Sequence, residues 1–272
     1  MSTFSEWTPA DAGRHIRVPV ADDDKYSRGV LGVVTGSAEY PGAAVLGVEA
    51  ALHTGLGMLR YLGPARASDF VLQRRPETVT APGRVQAWLL GSGQDAAVRD
   101  PETASRLDVA LHQGLPTVID AGALDLVERS GGPTIVTPHF GELARIVDAS
   151  KEQVAANPAA WAVRGAEALG VTVLLKGHST YVAAPDGTRI VAASAPAWLA
   201  TAGAGDALGG ILGALVATHG DDIAADSGAL ARLGATASVI HGLAAKRASA
   251  GGPFTIVDLI RAVPATIADL LR

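Results

Sequence analysis

The chain has 272 residues, 48% of them apolar, with a formal net charge of −5 and no cysteine. Disulfides, thiolate metal sites and cysteine nucleophiles are therefore excluded, and any metal must be held by oxygen or histidine. With no Lys/Arg-rich run, the acidic balance argues against a nucleic-acid partner, and the length suits one large α/β domain. Residues 1–29 are polar, carry no clear period and have no signal-peptide core; they read as an irregular lead-in to a single domain over 30–272. The apolar runs are Gly/Ala-rich and broken by charge, so a soluble, cytoplasmic protein with no membrane partner is expected.

Val30–Thr35 is a continuous apolar run, as in a strand covered on both faces, and it ends in a loop, Gly36-Ser37-Ala38-Glu39-Tyr40-Pro41-Gly42. A buried helix follows from Ala43 to Leu56, with Glu49 and His53 on one face. Met58–Gly63 and Gln86–Leu90 read as strands, the second closing in Gly91-Ser92-Gly93-Gln94-Asp95, and a helix is expected over Arg99–Gln113. The strand Thr117–Ile119 ends at Asp120-Ala121-Gly122 before a short helix, Ala123–Glu128. Asp120 reads as a cap for that helix, with a salt-bridge partner or a ligand group as alternatives.

Thr134–Thr137 is stopped by Pro138, which places His139 in a strand-to-helix turn ahead of Glu142, where it could donate a hydrogen bond to a ligand. A linker with Asn157-Pro158 leads to a helix, Ala159–Leu169, and a strand, Val171–Leu175. Lys176-Gly177-His178-Ser179-Thr180 then reads as a phosphate-facing edge or as solvated surface. Tyr181–Ala184 and Thr188–Ala193 make a hairpin around Asp186-Gly187. Helices over Ala224–Ala248, Val257–Val263 and Ala265–Leu271 complete the chain, and the alternation predicts a mostly parallel three-layer α/β fold with helices on both faces of the sheet.

The most informative stretch is Thr201-Ala202-Gly203-Ala204-Gly205-Asp206, which runs into an apolar helix to about Thr218. Its glycines let successive amides converge at the positive end of a helix, a seat for an anion. Asp206 beside that seat is either a helix cap or a base that takes a proton from a hydroxyl during phosphoryl transfer.

Gly36-Ser37 with Gly42-Ala43, Gly91-Ser92-Gly93, Thr137-Pro138-His139-Phe140-Gly141-Glu142, Lys176-Gly177 and Gly203-Ala204-Gly205-Asp206, in this order, together resemble the NAD(P)H-hydrate dehydratase family of the ribokinase-like superfamily. The resemblance implies a ribokinase-like fold and ADP-dependent dehydration of the S epimer of hydrated NADH or NADPH, with release of AMP and phosphate. It implies Asp206 as the base and Gly203, Ala204 and Gly205 as the anion hole. Ala43, Gly93, His139 and Asp206 would contact the hydrated dinucleotide; Lys176, Gly177, His178, Ser179, Thr180 and Gly205 would hold the ADP or ATP. It further implies Mg2+ with no dedicated ligand set, a homotetramer, and a separate epimerase chain, because the epimerase domain fused in many bacterial members has no counterpart here. Two positions depart from the family pattern: Gly122 stands where many relatives carry a second aspartate, and Gln94-Asp95 replaces Leu-Gly. The alternatives are an ATP-dependent kinase of a small alcohol or vitamin precursor, and a non-catalytic nucleotide-binding regulator.

Overall fold

Val30–Val34 is apolar at every position and buried at every position, so this strand can only be central to a sheet covered on both sides. In the computed structural model, which describes residues 3–193 and 195–272, it is β2 of nine: β1 (Ser5–Glu6), β2 (Val30–Val34), β3 (Met58–Tyr61), β4 (Ala87–Leu90), β5 (Thr117–Ile119), β6 (Thr134–Val136), β7 (Thr172–Leu175), β8 (Thr180–Ala183) and β9 (Arg189–Ala192). They form one sheet in the order β1-β9-β8-β7-β6-β5-β4-β2-β3. All neighbours run parallel except β7 with β8 and β8 with β9, where the expected hairpin turns the sheet antiparallel.

Alternate residues of the strands feed two cores. Leu31, Val33, Leu89, Val118 and Leu174 pack beneath the helices Pro41–Thr54, Ala204–Thr218, Ala229–Ser249 and Ile256–Leu270. Val30, Val34, Leu90, Ile119 and Leu175 pack beneath Pro101–Leu111, Phe140–Ile146 and Pro158–Leu169. The expected three-layer α/β architecture is thus the observed one. Among the described residues no helix is long and apolar enough to cross a membrane.

Several boundaries differ from expectation. The segment before residue 30 is not wholly irregular: Ser5–Glu6 pairs in parallel with β9, and Pro9–Gly13 is a helix with a Thr8/Asp11 capping box, while 14–29 holds only turns and loop. Trp7 fastens it, its backbone N–H donating to the Val191 oxygen at 2.8 Å and its indole N–H to Thr236 Oγ1 at 3.1 Å. The last two helices are one, Ile256–Leu270, with Pro264 inside it. The stretch 224–248 is split into Gly220–Ala225 and Ala229–Ser249 by a turn in which Asp226 accepts from the Gly228 amide. The helices Ala65–Arg74 and Lys151–Ala156 carried no recognised signal.

The helix that begins at Ala204 is set by a close approach to its neighbour: a Cβ on Gly210 would lie 2.2 Å from the Gly47 oxygen. Gly210→Ala should therefore force the two helices apart and destabilise the protein by about 1–3 kcal/mol, readable in urea unfolding.

Candidate active site

The parallel strands β4, β5, β6 and β7 all end at the same rim of the sheet, where open α/β folds place their ligands. Each end contributes a polar side chain to one buried carboxylate. Asp120, just past β5 and 3% exposed, accepts from Ser92 Oγ at 3.0 Å, Thr137 Oγ1 at 2.7 Å and Lys176 Nζ at 2.6 Å. It stands at a cap position but makes no side-chain cap bond, so the expected cap is instead an ion pair. Burial opposes its charge, yet Lys176 and the hydroxyl donors outweigh it and hold Asp120 below the usual carboxylate range. Burial likewise opposes the charge of Lys176, but Asp120, followed by Glu142, raises that ammonium above its ordinary value.

Gly203 precedes the helix Ala204–Thr218 with φ +89°, and a Cβ there would meet Leu46 at 2.6 Å. Only glycine fits that turn. The Ala204 amide donates to the Thr201 oxygen at 3.3 Å, and the helical ladder opens with Ala207 donating to Gly203 at 3.1 Å. The amides of Gly203, Gly205 and Asp206 donate no hydrogen bond among the described residues and are the cradle's free donors. A Cβ on Gly205 would lie 3.5 Å from Lys176 Nζ, so an ammonium stands beside the cradle.

Asp206 is in the first helical turn and forms no ion pair among the described residues. Burial, then the nearby negative charge of Asp120, pushes its pKa up to about 6, with Lys176 partly offsetting the rise. A carboxylate poised there is suited to accept a proton near neutral pH.

A cavity of about 310 Å³ opens over the cradle. It brings together His139, Lys176, Gly177, His178, Thr180, Ala204 and Gly205 of the expected site, whereas Ser179, Gly203 and Asp206 do not line it. Ala43 and Gly93 lie elsewhere, against each other: a Cβ on Gly93, at φ +67°, would meet the Ala43 Cβ at 2.3 Å. The side chain of His139 does a job not anticipated from the sequence. Its Nδ1 accepts from the amides of Gly141 at 3.0 Å and Glu142 at 3.1 Å, capping Phe140–Ile146. With Nδ1 accepting, the ring proton sits on Nε2, which leaves that nitrogen as a donor. His139→Ala should cost about 0.5–2 kcal/mol of stability through the lost cap. His139→Asn, which keeps an acceptor for the cap but removes the Nε2 donor, should recover the unfolding midpoint in urea.

The two departures from the family pattern explain each other. A Cβ on Gly122 would lie 2.2 Å from the Gln94 oxygen, so the backbone of the 94–95 loop occupies the room a second aspartate would need. That loop is held in place by Gln94 Nε2 donating to the Val34 oxygen at 3.2 Å and by Asp95 accepting from the Ala97 amide at 2.9 Å.

Sequence reasoning missed Ser238 and His241, which complete the cavity wall from the helix Ala229–Ser249. His241 is 7% exposed, its Nε2 has no hydrogen-bond partner among the described residues, and burial lowers its pKa to about 4, so the ring is neutral. Two polar residues three apart in an Ala-rich helix were the available signal.

The sequence model of a family described as NAD(P)H-hydrate dehydratase matches residues 31–261. A bifunctional NAD(P)H-hydrate repair enzyme of Mycobacterium tuberculosis (strain ATCC 25618 / H37Rv) is 43% identical over 215 residues, 74% of this chain and 43% of that protein. An ADP-dependent (S)-NAD(P)H-hydrate dehydratase of Xanthomonas campestris pv. campestris is 33% identical over 228 residues, 76% of this chain and 79% of that protein. This chain spans about half the length of the bifunctional relatives it matches. Among solved structures, the ADP/ATP-dependent NAD(P)H-hydrate dehydratase of Bacillus subtilis, co-crystallized with ATP/Mg2+, shares the fold with a TM-score of 0.86 and 23% identity, over 99% of this chain and 100% of that one.

Proposed function

Because this chain belongs to the NAD(P)H-hydrate dehydratase family and has a ribokinase-like fold, we propose that it removes water from the S epimer of hydrated NADH or NADPH at the expense of ADP. The observation that carries this reading is Asp206: a carboxylate with no ion pair among the described residues, raised to a pKa of about 6, at the mouth of a helix N-terminus with Lys176 alongside. Such a group is a proton acceptor next to an anion seat, which is what activating an alcohol against a nucleotide phosphate requires.

In this scheme the ring hydroxyl gives its proton to Asp206 and its oxygen attacks the terminal phosphorus of ADP, so that the bond to AMP breaks. The amides of Gly205 and Asp206 and the Lys176 ammonium stabilise the charge on the transferring phosphoryl oxygens. Phosphate then departs as the ring nitrogen's lone pair enters, and loss of a ring proton restores the dihydronicotinamide. Lys176, Gly177, His178, Ser179, Thr180 and Gly205 hold the nucleotide; Ala43, Gly93, His139 and Asp206 face the dinucleotide. Among the described residues no three His, Asp or Glu side chains converge on one point. Mg2+ needs no such cluster: it would come with the nucleotide, whose phosphates would supply its charge partners while it kept most of its waters.

Incubating the protein with hydrated NADH and ADP should restore the reduced-nicotinamide absorbance and release AMP and phosphate one for one. No recovery with either ADP or ATP overturns the reading; a stable phosphate ester of a small alcohol formed instead would assign a kinase. The protein would act in the cytoplasm as a homotetramer, in the same pathway as an NAD(P)H-hydrate epimerase. Light scattering reads the assembly.

A further inference from the structure

Asp120 is the most heavily partnered charge in the structure's candidate site, yet it does not face the cavity and has no part in the scheme above. It is gathered from four strand ends: its own after β5, Ser92 after β4, Thr137 after β6 and Lys176 after β7. A buried pair placed only for stability has no need to share its ammonium with an anion seat, and replacing such a pair by apolar groups is often neutral or stabilising. Here Lys176 Nζ is bonded to Asp120 at 2.6 Å and also stands beside Gly205. The helix that carries Asp206 lies over the same loop, since a Cβ on Gly209 would be 3.6 Å from Ser92 Oγ.

We propose that Asp120 is a positioning residue: it anchors the Lys176 ammonium beside the phosphate cradle and, from beneath the helix that carries Asp206, fixes the balance of charge in which that carboxylate works. The inference rests on the role proposed for Asp206. Two charges act on Asp206 with opposite sign, Asp120 raising its pKa and Lys176 lowering it, with Asp120 the larger influence. Glu142 acts on Lys176 from the neighbouring helix, and His241, neutral through burial, adds no charge. His139 and His178 face the cavity rather than the ion pair. With Asp120 neutralised, Lys176 loses its counter-charge and pulls on Asp206 unopposed, so the ionised form of Asp206 is favoured at lower pH.

The test is Asp120→Asn, read by the acid limb of the kcat profile and by the carboxyl carbon shift of Asp206 during titration. Both midpoints should move from about 6 to lower pH by roughly one unit or more, and the plateau rate should fall because the base is weaker. Asp120→Glu, which keeps the charge, should leave the limb where it is in the parent protein. The double variant Asp120→Asn/Lys176→Gln leaves no member of the pair charged; it should move the carbon midpoint the same way by less, and it serves if the single variant does not fold. A lower rate or melting temperature with both midpoints unmoved makes Asp120 merely structural and overturns the inference. The carbon titration needs no turnover. An inactive parent protein would therefore count against the dehydratase reading, and an unmoved Asp206 against this one.

Discussion

Asp206→Asn should lower turnover by roughly 10²- to 10⁴-fold while nucleotide affinity stays near that of the parent protein, the result expected when a general base is removed and the cradle amides stay in place. Isothermal titration with ADP and a steady-state assay on the same preparation separate the two quantities, and a near-normal rate would remove Asp206 from the chemistry. The parent protein should lose activity as pH falls through about 6, because only the ionised carboxylate accepts a proton. The variant should have no such limb. It should also be the more stable protein. A raised carboxyl pKa favours the folded state below the unfolded value of 3.8, and this contribution is lost as pH rises through about 6. At neutral pH, deleting the charge should thus recover up to about 3 kcal/mol, taking about two units at 1.36 kcal/mol each. A variant that is both less active and more stable is the signature of a site held ready at the expense of the fold.

Lys176→Met should have the opposite effect on stability. Its partner Asp120 is buried and would keep only two hydroxyl donors, so the unfolding free energy should drop by about 3–5 kcal/mol, the usual cost of stranding one member of a buried pair. Urea unfolding measures this, and adding Asp120→Asn should return most of the loss, since no uncompensated charge then remains. Nucleotide binding should weaken in both variants, because the ammonium beside Gly205 is gone in both. Full recovery of binding in the double variant would take Lys176 out of the phosphate seat. The pair also makes the fold sensitive to acid: Asp120 is lowered from 3.8, so the stability it contributes is present above that value and is lost as pH falls through the folded one.

The architecture was legible because the buried strands are short apolar runs closed by turn residues, and because Gly203 and Gly205 announce a turn that few other sequences need. What escaped was set by partners distant in sequence. Asp120 looks like a cap because aspartates before helices usually are; its real partners lie 28, 17 and 56 residues away. His139 was placed in the right turn but not given its capping role, which depends on which ring nitrogen faces Gly141 and Glu142. Gly122 reads in the sequence as the loss of a functional group, yet the Gln94 backbone stands where a side chain would go. Ser5–Glu6 has neither the length nor the apolar alternation that marks a strand, since both residues are exposed and the pairing is with backbone alone.

That two-residue strand bears on how much open edge the sheet presents. It lies along β9, and at the opposite border of the sheet Val79 bridges to Arg60 of β3. Pairing thus extends past β9 on one side and past β3 on the other, so less of the backbone of these longer strands is left open as a template for annealing to another sheet.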